Sequence, residues 1–125
     1  MLRAVRFAAS GHADRLREID ACELSAATRV GCTAAQHAAL EGYANCLRVL
    51  HELGAAATLF AADNNGRTPA HAAAINGHAD CLRVLHELGA AATLCAAAND
   101  GRTPAQHAAL EGHANCLRVL HELGA

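Results

Sequence analysis

Cysteine and histidine recur together along the chain at one spacing: Cys46 with His51, Cys81 with His86, and Cys116 with His121. Thiolate and imidazole are zinc ligands, and a paired cysteine and histidine can also form an activated nucleophile. Five residues of α-helix advance about 500°, however, and leave the two side chains about 140° apart around the axis. Within one helix they can share neither an ion nor a proton, so ligation across neighbouring copies is the one geometry left for a metal. Other chemistry is absent. Ser10 and Ser25 sit in no nucleophile elbow, and there is no glycine-rich phosphate loop. The expectation is a protein without catalysis, cofactor or metal.

The elements that carry these pairs are copies of one another. "CLRVLHELGA" stands at 46–55, 81–90 and 116–125 without a changed letter. Gly31, Gly66 and Gly101 open similar blocks, with a period of 35 residues (66 − 31 = 101 − 66 = 35). A weaker unit precedes them, since "FAASGHADRLREI" echoes "AAINGHADCLRVL". The chain therefore divides into units 1–30, 31–65, 66–100 and 101–125 within one domain. Such self-similarity marks a repeat architecture, in which each unit buries its apolar face against the next.

Composition agrees. The 125 residues carry a formal net charge of −2, and 53 % are apolar, yet there is no tryptophan, one tyrosine and two phenylalanines. Small side chains suffice only where helices pack close together in thin layers. No apolar run reaches the roughly 18 residues of a membrane span, and the start of the chain, with arginines at both ends and no continuous apolar segment, does not read as a signal peptide. Six cysteines without a secretion signal point to reduced thiols and a cytoplasmic or nuclear setting. The charges are interspersed, which argues against a nucleic-acid or membrane surface.

Each block decodes as helix, turn, helix, loop. Thr68-Pro69 and Thr103-Pro104 are helix starts, whereas Thr33-Ala34 lacks the proline. The first helix ends near Gly42, Gly77 or Gly112, and the second runs through the repeated segment to Gly54, Gly89 or Gly124. Leu47, Val49 and Leu50 give the second helix its apolar face. Arg48 and Glu52, four apart, are expected to pair on the other side.

The stretch "GRTPAHAAAINGHADCLRVLHELGA" resembles the ankyrin repeat, with Thr68, Pro69, His71, Ala73, Ala74, Gly77 and His78 matching its signature. The resemblance implies an all-α solenoid of stacked helix-turn-helix units joined by hairpin-like loops. It also implies a protein–protein interaction scaffold that binds through loop tips and first helices. Three departures stand out. The period exceeds the family's usual 33 or so, and the excess falls in "GAAATLFAADNNG" and "GAAATLCAAANDG", where a lengthened or bulged loop is expected. Alanine (Ala35, Ala70, Ala105) replaces the motif leucine and thins the core. Gln36 and Gln106 replace the motif histidine, which in the family helps to tie adjacent loops, and a histidine follows each (His37, His107). This leaves the register of those bonds open.

Stacking turns each residue into a column. Layers stand roughly 8–10 Å apart, beyond the ~7 Å Cα limit for a disulfide. Cys46, Cys81 and Cys116 are thus expected as small buried apolar residues, and Cys22, Cys32 and Cys95 as loop or edge thiols. His51, His86 and His121, if partly buried, should have depressed pKa values and weaken the fold in acid. His12, His78, His113 and Tyr43 are expected to start the second helices.

On the resemblance, the partner-binding residues are Arg29, Val30, Leu40 and Glu41, then Asn64, Asn65, Arg67, Ile75 and Asn76, then Asn99, Asp100, Arg102, Leu110 and Glu111. The alternative for Asn65 and Asp100 is plain turn-making. The first unit looks capped: Arg15 and Glu18 replace the cysteine and valine of later units. The last unit keeps Cys116, Leu117, Val119, Leu120 and Leu123 as apolar as an internal one. These five are expected to mediate self-association, or to be covered in a longer array. The alternative function is that of a structural spacer or a self-associating repeat segment, either as part of a longer array or as an engineered or evolved repeat protein.

Overall fold

The computed structural model describes residues 10–11 and 32–124. The first unit, including Arg15, Glu18, Cys22, Arg29, Val30 and His12, otherwise lies outside the described residues. Helices and short 3₁₀ turns, with no strand, make up the regular structure of the described residues. They run α1 (Ala34–Glu41), α2 (Ala44–Glu52), α3 (Pro69–Ile75), α4 (Ala79–Glu87), α5 (Pro104–Leu110) and α6 (Ala114–Glu122).

The starts and stops follow the sequence chemistry. Thr33 and Thr103 accept from the backbone N–H groups of Gln36 and Gln106, each at 3.4 Å. In return Gln106 Oε1 accepts from the Thr103 N–H at 2.9 Å, closing a capping box. At α3 the same return bond goes to an imidazole: the Thr68 N–H donates to His71 Nδ1 at 3.1 Å. Helix α1 stops where Gly42 takes a left-handed conformation.

Helices of seven to nine residues are too short to persist alone in water, and packing supplies what propensity lacks. First helices stack on first helices (α1 on α3, α3 on α5) and second helices on second helices (α2 on α4, α4 on α6). Leu47, Leu50, Leu82, Leu85 and Leu120 are buried between them, each contributing about 1.5–3 kcal/mol. Ala35 and Ala70 are fully enclosed. Ala105, the third alanine at this position, is only partly buried.

The long connections hold the extra residues in two devices. A 3₁₀ turn follows α2 and α4, at Ala56–Leu59 and Ala91–Cys95, and Leu59 and Leu94 plug the core. A tight hairpin tip comes next, closed by Asp63 N–H to the Arg67 carbonyl oxygen (2.8 Å) and by Ala98 N–H to that of Arg102 (2.9 Å). The expected lengthening is thus a 3₁₀ turn ahead of a compact tip.

Candidate functional site

The face built from hairpin tips and first helices is held by polar ties between units. Gln36 Nε2 donates to the carbonyl oxygens of Arg67 (2.6 Å) and Ala61 (3.3 Å) in the following connection. One unit on, His71 Nε2 stands 3.0 Å from the carbonyl oxygen of Arg102. Arg67 and Arg102 are equivalent positions, so glutamine and histidine make the same bond and the register is kept. Neighbouring tips are tied as well: Asn99 donates its N–H to Asn65 O (2.9 Å) and its Nδ2 to Asn64 O (3.1 Å). Asn76 Nδ2 donates to Leu40 O at 2.7 Å.

A groove of about 160 Å³ opens on this face between α1 and α3. Leu40 and Ile75 supply apolar walls, with Cys32, Gln36, His37, Asp63, Arg67 and Ala72 around them. Ala72 gives it room on the α3 side. The column at this register reads His37, Ala72, His107, and the methyl of Ala72 leaves open what an imidazole fills in the next unit. There His107 is buried, edge-on to His71 with ring centroids 5.8 Å apart.

Charge at the groove is arranged by the backbone. Asp63 Oδ1 accepts from the N–H groups of Asn65 (2.9 Å) and Arg67 (3.0 Å), so its charge is spent on the tip. Arg67 pairs with no described carboxylate and is left half-buried beside the apolar walls. Burial lowers the pKa of His37, with Glu41 acting in the opposite sense. Burial also lowers His71 and His107, reinforced in both by Arg67. All three imidazoles are therefore held towards their neutral form.

Of the sequence-derived candidates, Leu40, Arg67 and Ile75 come together in this groove. Leu110, at 61 % exposed, lies in a separate hollow with Arg102. Asn76 and Asn99 are structural ties, and Asp100 Oδ1 accepts from the Arg102 N–H at 3.0 Å to make its turn. Glu41, Asn64, Asn65 and Glu111 are exposed. Cys32, Gln36, His37, Asp63 and Ala72 were not foreseen as groove residues. The signal for them is the alternation at positions 37, 72 and 107, visible once the period is known.

The second-helix side corrects several expectations. Arg48 does not pair with Glu52. Its Nη2 reaches Glu87 Oε2 in the next unit at 2.8 Å, and Arg83 reaches Glu122 likewise. His51, His86 and His121 are exposed, because Leu50 points inward and the next residue sits about 100° round the helix. The depressed histidines are those of the first helices. Tyr43, His78 and His113 do start the second helices, as expected, standing at the N-caps of α2, α4 and α6 without a side-chain cap bond; their rings cover Gly11, Gly42 and Gly77 of the preceding unit.

Cys46, Cys81 and Cys116 are fully buried, as expected, while Cys95 is exposed and Cys32 intermediate. Of the five residues expected to mediate self-association, Cys116, Val119 and Leu120 are buried inside the chain against its own neighbouring helices, and Leu123 is partly so. Leu117, 38 % exposed, is the one that faces out.

Geometry of this kind, with helix pairs stacked in register and tied tip to tip, defines a helical-repeat solenoid. The family model "Ankyrin repeats (3 copies)" matches the chain twice, over residues 3–96 and 57–125. The chain belongs to the ankyrin repeat family. Ankyrin repeats are generally protein–protein interaction modules and typically non-catalytic. No curated protein matches this chain. Among the described residues no cluster of three or more metal-ligating side chains occurs, and no helix is long and apolar enough to cross a membrane.

Proposed function

We propose that this chain is a non-catalytic scaffold that binds a protein partner through its hairpin and first-helix face, with the groove between Leu40 and Ile75 at the centre. The observation that carries this reading is where the units differ. Their second helices are identical from Cys46, Cys81 and Cys116 onward, whereas the groove register varies: Cys32, Arg67 and Arg102; His37, Ala72 and His107; Leu40, Ile75 and Leu110. A surface that only stacks has no use for such variation. Apolar walls beside a half-buried arginine that pairs with no described carboxylate suit an aliphatic or aromatic side chain followed by a carboxylate. The setting proposed is cytoplasmic or nuclear.

Affinity capture from lysate tests this when run with face variants. Arg67→Ala and Ala72→His should each abolish capture, while Arg48→Ala on the second-helix side should not. Equal capture by all three would overturn the reading. The alternative, self-association or a spacer role, draws on the identity of the layers and on exposed Leu110 and Leu117. Light scattering at hundreds of micromolar separates the two, since a strict monomer excludes self-association.

A further inference from the structure

We infer that the outer face of α5 and α6 docks on the same face of a second copy of this chain about a two-fold axis. Leu110 and Leu117 pack across that axis, and Glu111 of one copy pairs with Arg118 of the other. Docking of this kind rests on self-association, the alternative reading, and leaves the groove between α1 and α3 free. Equivalent residues show what the face exposes. Ala39 and Ala74 are fully buried, whereas Ala109 is exposed. Leu47 and Leu82 are fully buried too, but Leu117 is 38 % exposed. Leu110 is 61 % exposed, while Leu40 and Ile75 at its register are half-buried. Apolar side chains that a following layer covers in two units thus stand open on the last pair.

This face is complementary to itself. Helices α5 and α6 pack on each other across a connection of three residues, Glu111 to His113, and so run antiparallel. A two-fold axis lying in the face along the pair therefore lays α5 of one copy over α6 of the other. Leu110 is the last residue of α5 and Leu117 the fourth of α6. Both stand within about 6 Å, roughly one helical turn, of the connection that joins the pair. They meet twice, once on each side of the axis.

Charge follows the same symmetry. Glu111 and Arg118 come directly after these leucines in sequence, and neither forms an ion pair among the described residues. Arg48 and Arg83, at the register of Arg118, each reach a glutamate of the next layer at 2.8 Å. An arginine here therefore spans the gap between stacked faces. Docking head to tail is served less well. Ala21 stands at the register of Glu87 and Glu122, so the first unit of a second copy offers Arg118 no carboxylate there, whereas its last pair offers Glu111. A face one helix pair wide makes a small interface, and the dimer forms at high concentration. It holds two open grooves and so presents a partner with two sites.

Light scattering from about 10 to about 500 μM should show the unaltered chain passing from monomer to dimer and no further, as a closed two-fold interface requires. Arg118→Glu and Glu111→Arg, both at exposed positions that leave the fold intact, set like charges opposite one another twice. Each should weaken dimerisation about tenfold, and an equimolar mixture of the two variants should regain it. A strict monomer overturns the inference and leaves the face to a further stacked unit. Association beyond the dimer, a dimer indifferent to both substitutions, or a mixture without rescue overturns it as well. Capture through the groove is read separately with the Arg67 and Ala72 variants, so the two readings fail independently.

Discussion

The imidazole of His113 lies against Gly77 of the preceding unit: a β-carbon there would come within 2.7 Å of its Nδ1, while Nε2 of the same ring is 3.0 Å from the Ile75 carbonyl oxygen. Gly77 has φ +77° and Gly112, its counterpart, φ +75°, but nothing stands near a β-carbon on Gly112. The pair separates backbone strain from the cost of disturbing the interface. Gly112→Ala should cost about 1 kcal/mol for the left-handed conformation alone. Gly77→Ala should cost about 2–3 kcal/mol, because the ring must also leave its carbonyl. Urea denaturation of the two variants measures the difference, and equal losses would mean that His113 is not held against Gly77.

The arginine–glutamate ties between units are exposed on both sides, with side-chain exposures of 45 % and 54 % for Arg48 and Glu87. Each should contribute about 0.2–1 kcal/mol and weaken with salt. A double-mutant cycle on Arg48 and Glu87 should return coupling in that range. The same cycle on Arg48 and Glu52 should return less, although those two share a helix.

Stability should fall in mild acid. His37, His71 and His107 have folded-state pKa values lowered by burial. Their contribution is complete above the unfolded value of about 6.5 and is lost as pH drops through it towards the lowered folded values. Urea midpoints at about pH 7.5 and about pH 5 should show this decline. Replacing His51, His86 and His121 together by glutamine should leave the decline intact, and its disappearance in that variant would assign the effect to the wrong column.

Thiol reactivity should divide the cysteines sharply. Burial pushes the Cys81 thiol up to about 12, assisted by Asp80 and by the neighbouring cysteines, and burial raises Cys116 as well. Brief alkylation of the folded protein, mapped by mass spectrometry, should therefore mark Cys95 and leave Cys46, Cys81 and Cys116 unmodified. All three should react once the chain is unfolded.

Much of this architecture could be read from local patterns. Thr-Pro starts and glycine stops mark each helix within a few residues, and identity at a fixed period reveals the layers without any tertiary knowledge. What stayed hidden depends on the offset between layers. Arg48 and Glu87 are 39 residues apart (87 − 48), four more than the period, a diagonal that becomes visible only after stacking. Burial of Val119 and Leu120 was missed because the face they line is covered by helices on the same side as in every other unit. The groove was half legible. Leu40, Arg67 and Ile75 follow from the family's face, but the space between them depends on the absent ring at Ala72, and a side chain that is missing leaves no mark in a motif.

Stacking itself is tested most directly by adding a layer. Residues 66–100 form one 35-residue unit, so a second copy inserted after residue 100 should dock between two existing layers and remake every tie. Guanidinium unfolding of that longer chain should stay cooperative, with both the midpoint and the slope m increased, since slope follows the surface buried and each layer adds its own interface. A lowered midpoint with an unchanged slope would show that the new unit does not dock, and the chain would not be a stack.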